Sequence, residues 1–311
     1  MPIAVRQVAT ATLTGQGSTP SIALSSNALS GSMLVLIGVG RNTSSGETVV
    51  LSSVTDSRSN TWQTPANVQL AGSYTPNVFA AYAYNVAAGA TTVTASVNQS
   101  SNGAISWALF EITGAATSAA VDKTATGTGT TNTAGSVSTA STGTLTQAAN
   151  LAILCAGGYF GIPQNPSGYT SALSQQNGAA VGAQISYKTV AATTAITGTV
   201  AHETGANTEL TSALLLVVKQ ASTSNLRYKF LLNPSLFTSA DTGVEGDVWR
   251  NGTPSTVLSE YYSGLSGDAT SGVLYITGVP SGVALTDTIT GSFYNGTDGS
   301  RPYVTGTVET Y

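Results

Sequence analysis

The chain has 311 residues, enough for two or three domains with separate cores. Its formal net charge is −4, with no basic patch to neutralise a phosphate backbone, which argues against nucleic-acid binding. Charged residues make up 8%, against about 25% in an ordinary globular chain, while the 41% apolar share argues against disorder.

Thr, Val, Ser and Gly take the place of Glu, Lys and Arg, so solvent-facing helix sides have little to be built from and an all-β fold is expected. The opening MPIAVRQVATATLTG has neither a basic n-region nor a continuous apolar h-region. No apolar run approaches the roughly 20 residues that span a bilayer. A soluble protein made in a cytoplasm, without membrane insertion or the usual export signal, is the expectation. A hydroxyl- and amide-rich exterior of this kind is common on extracellular, cell-wall and virion proteins.

The first strong element is SMLVLIGVGR (32–41), a buried strand ending in glycines. In VFAAYAYNV (78–86), Phe79, Ala81, Ala83 and Asn85 alternate with Ala80, Tyr82, Tyr84 and Val86, and in TTVTASV (91–97) Val93, Ala95 and Val97 share a face. AAGA (87–90) between them predicts a hairpin. WALFEI (107–112) closes the set. The set then recurs. NLAILCAGGY (150–159) answers residues 32–41, QISYKTVAATTAITGTV places Tyr187 on Tyr84 and Val200 on Val97, and SALLLV (212–217) answers WALFEI. The offsets run 118, 103 and 105, so the second copy has a shorter middle. The pattern predicts two related antiparallel β-sandwich, jelly-roll-like lobes, 1–115 and 116–220. The low-complexity tract 124–147 joins them, and its dense Thr predicts extended edge strands.

A third region, 226–311, follows a boundary near KQASTSN (219–225) and reads as a small acidic β domain. Residues 221–311 hold seven of the thirteen tyrosines, with four basic and eight acidic residues. Trp249, Tyr261, Tyr262, Tyr294 and Tyr303 are its candidate interface or glycan contacts.

Chemistry-bearing patterns are sparse. The single histidine, His202, lies in a polar turn with no G-x-S-x-G elbow in the chain. One His and one Cys are too few for a zinc site, and Cys155 within LAILCAGG reads as a buried apolar residue. Glu47, Asp56, Glu111, Asp122, Glu203 and Glu209 are scattered, without a glycosidase signature. D-T-G-V-E-G-D (241–247) lacks the spacing of a calcium loop and reads as a solvated acidic turn. No phosphate loop is present, and the sequons at Asn42, Asn251 and Asn295 reflect Asn/Thr abundance. No catalytic, metal or cofactor residue is assigned, and no enzyme activity is expected.

VTDSRSNTWQ (54–63), AYAYNVAAGATTVTASV and ALFEITGAA (108–116) together resemble a β-sandwich module of tailed-phage virion proteins and some bacterial surface proteins. Asp56, Asn60, Trp62, Tyr84, Gly89, Glu111 and Gly114 occupy the places of that pattern, over roughly residues 5–220. In the second copy, NPSGYTSAL (165–173) departs from the D-S-x-x-N loop. The resemblance implies a structural part of a phage particle: a capsid-surface decoration (cement) protein or head fibre on the virion exterior. It also implies contacts with capsid or tail proteins and a homo-oligomer, with a trimer favoured. The alternative is a tail-fibre or adhesin that binds a receptor or a host surface glycan.

Overall fold

The computed structural model describes residues 2–14, 19–41, 49–68, 75–89, 92–98, 103–131, 136–139, 141–159, 161–177, 181–201, 209–221, 226–231, 246–250, 257–259, 273–276, 288–293 and 303–310. Every element among them is a β-strand, and every strand pairing is antiparallel. Two compact units are present, Met1–Ala221 and Ser222–Tyr311. The sequence halves 1–115 and 116–220 are therefore two lobes of one unit.

In the first lobe, β1 (Ala4–Thr14), β8 (Ala104–Thr113), β3 (Met33–Arg41), β6 (Pro76–Ala83) and β5 (Gln63–Val68) form a five-stranded sheet in that order. Against it lies a three-stranded sheet of β2 (Ser21–Ala23), β7 (Thr92–Asn98) and β4 (Val50–Asp56). Pairing runs first strand to last, second to seventh, third to sixth, which is the wrapping of a jelly roll. The second lobe repeats it. Its large sheet has the order β9 (Val121–Thr131), β15 (Glu209–Lys219), β11 (Asn150–Gly158), β13 (Val181–Val190), β12 (Thr170–Asn177), and β10 (Ser136–Ser138) pairs with β14 (Thr199–Ala201). Among the described residues the second lobe has no counterpart of β4. There the chain reaches β14 through a backbone bond from Gln164 N–H to Ala201 O at 2.8 Å. This is the shorter middle seen in the sequence.

The two large sheets pack face to face and share one core. Met33, Val35, Ile37 and Val39 of β3 and Phe110 of β8 meet Leu151, Ile153, Cys155, Ile185 and Leu216 across it. The intervening residues serve each lobe's own core: Leu34, Leu36, Phe79 and Trp107 in the first, Ala152, Leu154, Leu215 and Val217 in the second. All nine residues of β3, and all nine of β11, are consequently buried. A strand covered on both faces reads as a continuous apolar run rather than an alternating one.

The strands that face each other disclose an approximate two-fold relation between the lobes. β3 lies against β11, its own counterpart; β1 faces β12 while β9 faces β5, and β8 faces β13 while β6 faces β15. Such reciprocity defines an isologous interface. Residues near the axis then meet their own equivalents. Val39 corresponds to Gly157, and a Cβ at Gly157 would stand 2.3 Å from Val39 Cγ2 and 3.1 Å from Pro76 Cβ. Arg41 corresponds to Tyr159, and its guanidinium carbon sits 4.7 Å from that ring's centroid.

Two local expectations change. AAGA is not a hairpin, because β6 and β7 belong to different sheets. The segment is a crossover, bent by Asn85 (φ 53°) and Gly89 (φ 90°) and anchored by Gly89 N–H to Ala28 O at 2.9 Å. The left-handed turn at Asn85 breaks the alternation, so Val86 joins Phe79 and Ala81 instead of Tyr82. The repeat register also shifts. Val35 pairs with Tyr82 and Ile153 with Tyr187, which makes Tyr82, rather than Tyr84, the equivalent of Tyr187. Likewise Met33 pairs with Ile112 and Leu151 with Val218, so WALFEI answers residues 213–218, one position later than expected.

The tract 124–147 supplies most of β9, an edge strand, and all of β10. In the C-terminal unit, β18 (Val257–Ser259), β17 (Gly246–Arg250), β20 (Thr288–Phe293), β21 (Tyr303–Thr310), β16 (Leu226–Leu231) and β19 (Val273–Ile276) form a six-stranded sheet in that order. Tyr228, Phe230, Ile289 and Val308 are buried on it.

The Val39–Gly157 contact gives a direct test of the shared core. Gly157→Ala should cost about 1–3 kcal/mol through overpacking, and Val39→Ala a similar amount through a cavity. The double variant should recover part of the loss, with a coupling above about 0.5 kcal/mol in urea unfolding of the full chain. Simple additivity would mean that the two residues do not meet.

Candidate functional site

Of the residues that carry the resemblance, Asp56, Asn60, Trp62 and Gly89 gather in one polar cluster and Glu111 lies in a second, while Tyr84 stands apart with its hydroxyl accepting from Gln63 Nε2 at 3.4 Å. At the end of β4, Asp56 Oδ1 accepts from Arg58 N–H (2.7 Å) and from Asn60 Nδ2 (3.2 Å), and Asp56 Oδ2 accepts from Trp62 Nε1 (2.7 Å). Asn60 Oδ1 in turn accepts from Ala87 N–H at 2.9 Å, so the loop after β4 is tied to the β6–β7 crossover. Gly89 is favoured there by its φ of 90°, whereas the Arg58 guanidinium, 2.6 Å from where a Cβ would stand, ends a flexible exposed side chain that can move aside. Trp62 itself packs against the first lobe's inner core.

The second cluster surrounds Glu111, which is fully buried in β8. Its Oε2 accepts from Arg6 Nη1 and Gln7 Nε2, each at 2.5 Å, and its Oε1 accepts from Leu29 N–H (2.7 Å) and Ser32 Oγ (3.0 Å). Burial pushes the carboxyl pKa up, but the bonds from Leu29, Gln7, Arg6 and Ser32 outweigh it and hold the group below its usual value. All four lone-pair positions of the carboxylate are engaged, which leaves it nothing with which to accept a substrate proton. A Glu inside the apolar run WALFEI signals a buried, partnered carboxylate, but its partners lie 105 and 104 residues away on β1 and were not identified from the sequence. Gly114, at φ 70°, turns the chain out of β8, where Ala115 bridges to Gln220 and Gln220 Oε1 accepts from Ile3 N–H.

The remaining candidates do not converge. Asp122 is held by Thr146 N–H and Oγ1 at 2.9 and 2.8 Å. Cys155 is unpaired and buried in the inter-lobe core, where burial pushes its thiol pKa far up, away from thiolate chemistry. Among the described residues no group of three His, Cys, Asp or Glu side chains could hold a metal ion. His202, Glu47, Glu203, Asp241, Glu245 and the three sequon asparagines lie outside the described residues.

Of the five aromatics expected to make contacts, Tyr303 on β21 is 71% exposed. Trp249 lies on β17, its backbone paired with Thr290 of β20. Tyr261, Tyr262 and Tyr294 lie outside the described residues. In the larger unit an open cleft of about 340 Å³ lies beside β1 and the start of β12, lined by Ile3, Val5, Leu151, Thr170, Tyr187 and Lys188 among others. The Lys188 ammonium sits 4.4 Å from the centroid of the Tyr169 ring. Among the described residues the lining carries no carboxylate, and the cleft offers hydroxyls, one cation and apolar surface.

The Glu111 cluster predicts a stability effect with a definite pH sign. Because the folded carboxyl titrates below its usual 4.5, its contribution is present above that pH and is lost as the pH falls through the folded value. Glu111→Gln should cost about 2–3 kcal/mol at neutral pH, by turning an acceptor toward the Arg6 and Gln7 donors into a donor. In urea unfolding, the difference between wild type and variant should shrink as the pH falls below about 4. A difference independent of pH would contradict the buried carboxylate.

Compared with protein-family models, with curated proteins and with solved structures, the chain matches none.

Proposed function

We propose that this chain is a structural component of a tailed-phage particle, a capsid-surface decoration or head-fibre protein that acts by binding and not by catalysis. The observation that carries the reading is the use to which the signature residues are put. Asp56, Asn60, Trp62 and Glu111, the polar residues of the virion-like pattern, are engaged in bonds that fasten loops and the first strand to the lobe. That supports an architectural motif. The low charge of the chain supports the same role, because an interface made of hydroxyl, amide and apolar groups closes without desolvating ions.

A glycan-binding tail fibre is the second reading, favoured by one observation: Tyr303 stands out on the C-terminal sheet with 71% exposure. Aromatic faces of that kind stack on sugar rings and also fill protein interfaces.

Electron microscopy of particles carrying a labelled copy tests the first reading, with label expected on the head surface. Heads assembled without the protein should lose integrity at a lower temperature than complete heads. Label confined to the tail tip, with glycan-array binding abolished by Tyr303→Ala or Trp249→Ala, would replace decoration with receptor binding.

A further inference from the structure

The four outer strands of the two large sheets differ in how they meet solvent. β5 is six residues long, contains Pro65 and is interrupted by a bulge between Gln63 and Ala66. β12 is bulged between Ser171 and Leu173. β9 carries Asp122 and Lys123 at its start and glycines at 127 and 129. Prolines, bulges, charges and glycines are the usual means of keeping a sheet edge from pairing with another chain. β1 lacks them over most of its length. From Gln7 to Thr14 it runs opposite β8 without interruption, and its sequence there, QVATATLT, has no charge, Pro or Gly. Among the described residues no strand lies on its outer side.

We infer that the outer edge of β1 pairs with β1 of a second copy of this chain, antiparallel about a two-fold axis at Thr10. Antiparallel self-pairing keeps the two faces of the sheet in register, so each residue meets one of its own parity. The opposed pairs are Thr10 with Thr10, Ala9 with Ala11 and Val8 with Thr12. All are small and uncharged, and three of these five positions are Val or Thr, residues favoured in strands. The two large sheets of the first lobes become one sheet of ten strands. β12, which faces β1 in the same unit, carries only hydroxyl and amide side chains besides Ala172 and Leu173, so the second copy meets no charge there either. A second copy is favoured over a foreign strand because the edge is complementary to itself. The inference is independent of where a particle would carry the protein.

Thr10 and Thr12 are exposed, so either accepts a lysine without disturbing the core. Sedimentation of the full chain at tens of micromolar should give a mass with an even number of subunits. Amide exchange of Ala9–Thr12 should slow with rising concentration. Thr10→Lys places two like charges face to face and should weaken association at least tenfold, with a thermal unfolding midpoint equal to the wild type's when both are diluted to the monomer, and Thr10→Glu should do the same. Mixing the two variants should restore the pair. If Thr10→Lys lowers the midpoint, Thr12→Lys and Thr12→Glu take its place. A monomeric wild type, a trimer whose β1 amides exchange at all concentrations, or lysine variants that associate normally would overturn the proposal.

Discussion

The face-to-face burial of the two five-stranded sheets governs the rest of the larger unit. β3 and β11 each place one face in the shared core and the other in a lobe's own core, so no position along them can carry an unpaired charge. Each fully buried Leu, Ile or Phe contributes about 1.5–3 kcal/mol. Together these residues outweigh the Arg6–Glu111 pair, whose Arg is one-third exposed. A body of stacked sheets also leaves few positions that need a charge for solubility.

Duplication within one chain relaxes a constraint that a true two-fold dimer cannot escape. On a symmetry axis each residue meets itself, so Val39 would face a second Val39, and Arg41 a second Arg41. In this chain the equivalent positions hold complementary pairs: Val39 against Gly157, and Arg41 against the ring of Tyr159. The first avoids an overlap at van der Waals distance, and the second replaces cation repulsion by a cation–π contact. Away from the axis the second lobe differs further. Where Phe79 fills the first lobe beneath its three-stranded sheet, the equivalent Gln184 bonds Ser171 Oγ at 3.0 Å and Asn165 Oδ1 at 3.3 Å, under the segment that stands in place of β4.

The sequence made the all-β class and the duplication legible because both rest on long apolar runs and on period-two alternation, which are local. LVLIGV, LAILCA and ALLLVV are short apolar runs in a chain poor in helix formers, which reads as buried strands. What it concealed was long-range. AAGA looked like a hairpin because a positive-φ glycine serves a hairpin and an arch between sheets equally well; the choice is made by which sheet β7 joins. The repeat was read two residues out of register at Tyr187 because the side-chain period of a strand is two, and a shift by one pleat preserves every face. Glu111 stands in the sequence only as one of the scattered acids and as a position of the pattern, and its partners Arg6 and Gln7 are separated from it by the whole first lobe. The signature residues Asp56, Asn60 and Trp62 stood out in sequence, and only their bonds to one another and to Ala87 assign them to scaffold.

Those bonds also limit the kind of recognition the larger unit can perform. Asp56, Glu111 and Asp122 accept hydrogen bonds from their own chain, Arg6 is paired, and Arg41 and Lys188 lie over aromatic rings. Those six side chains are engaged within the unit, which lessens what each can contribute to long-range attraction. Contacts between uncharged groups gain little from long-range attraction and lose little to salt, since screening acts on charges. The interface between the lobes is of that kind: it joins two copies of one fold through apolar side chains and tolerates differences wherever the pair remains complementary.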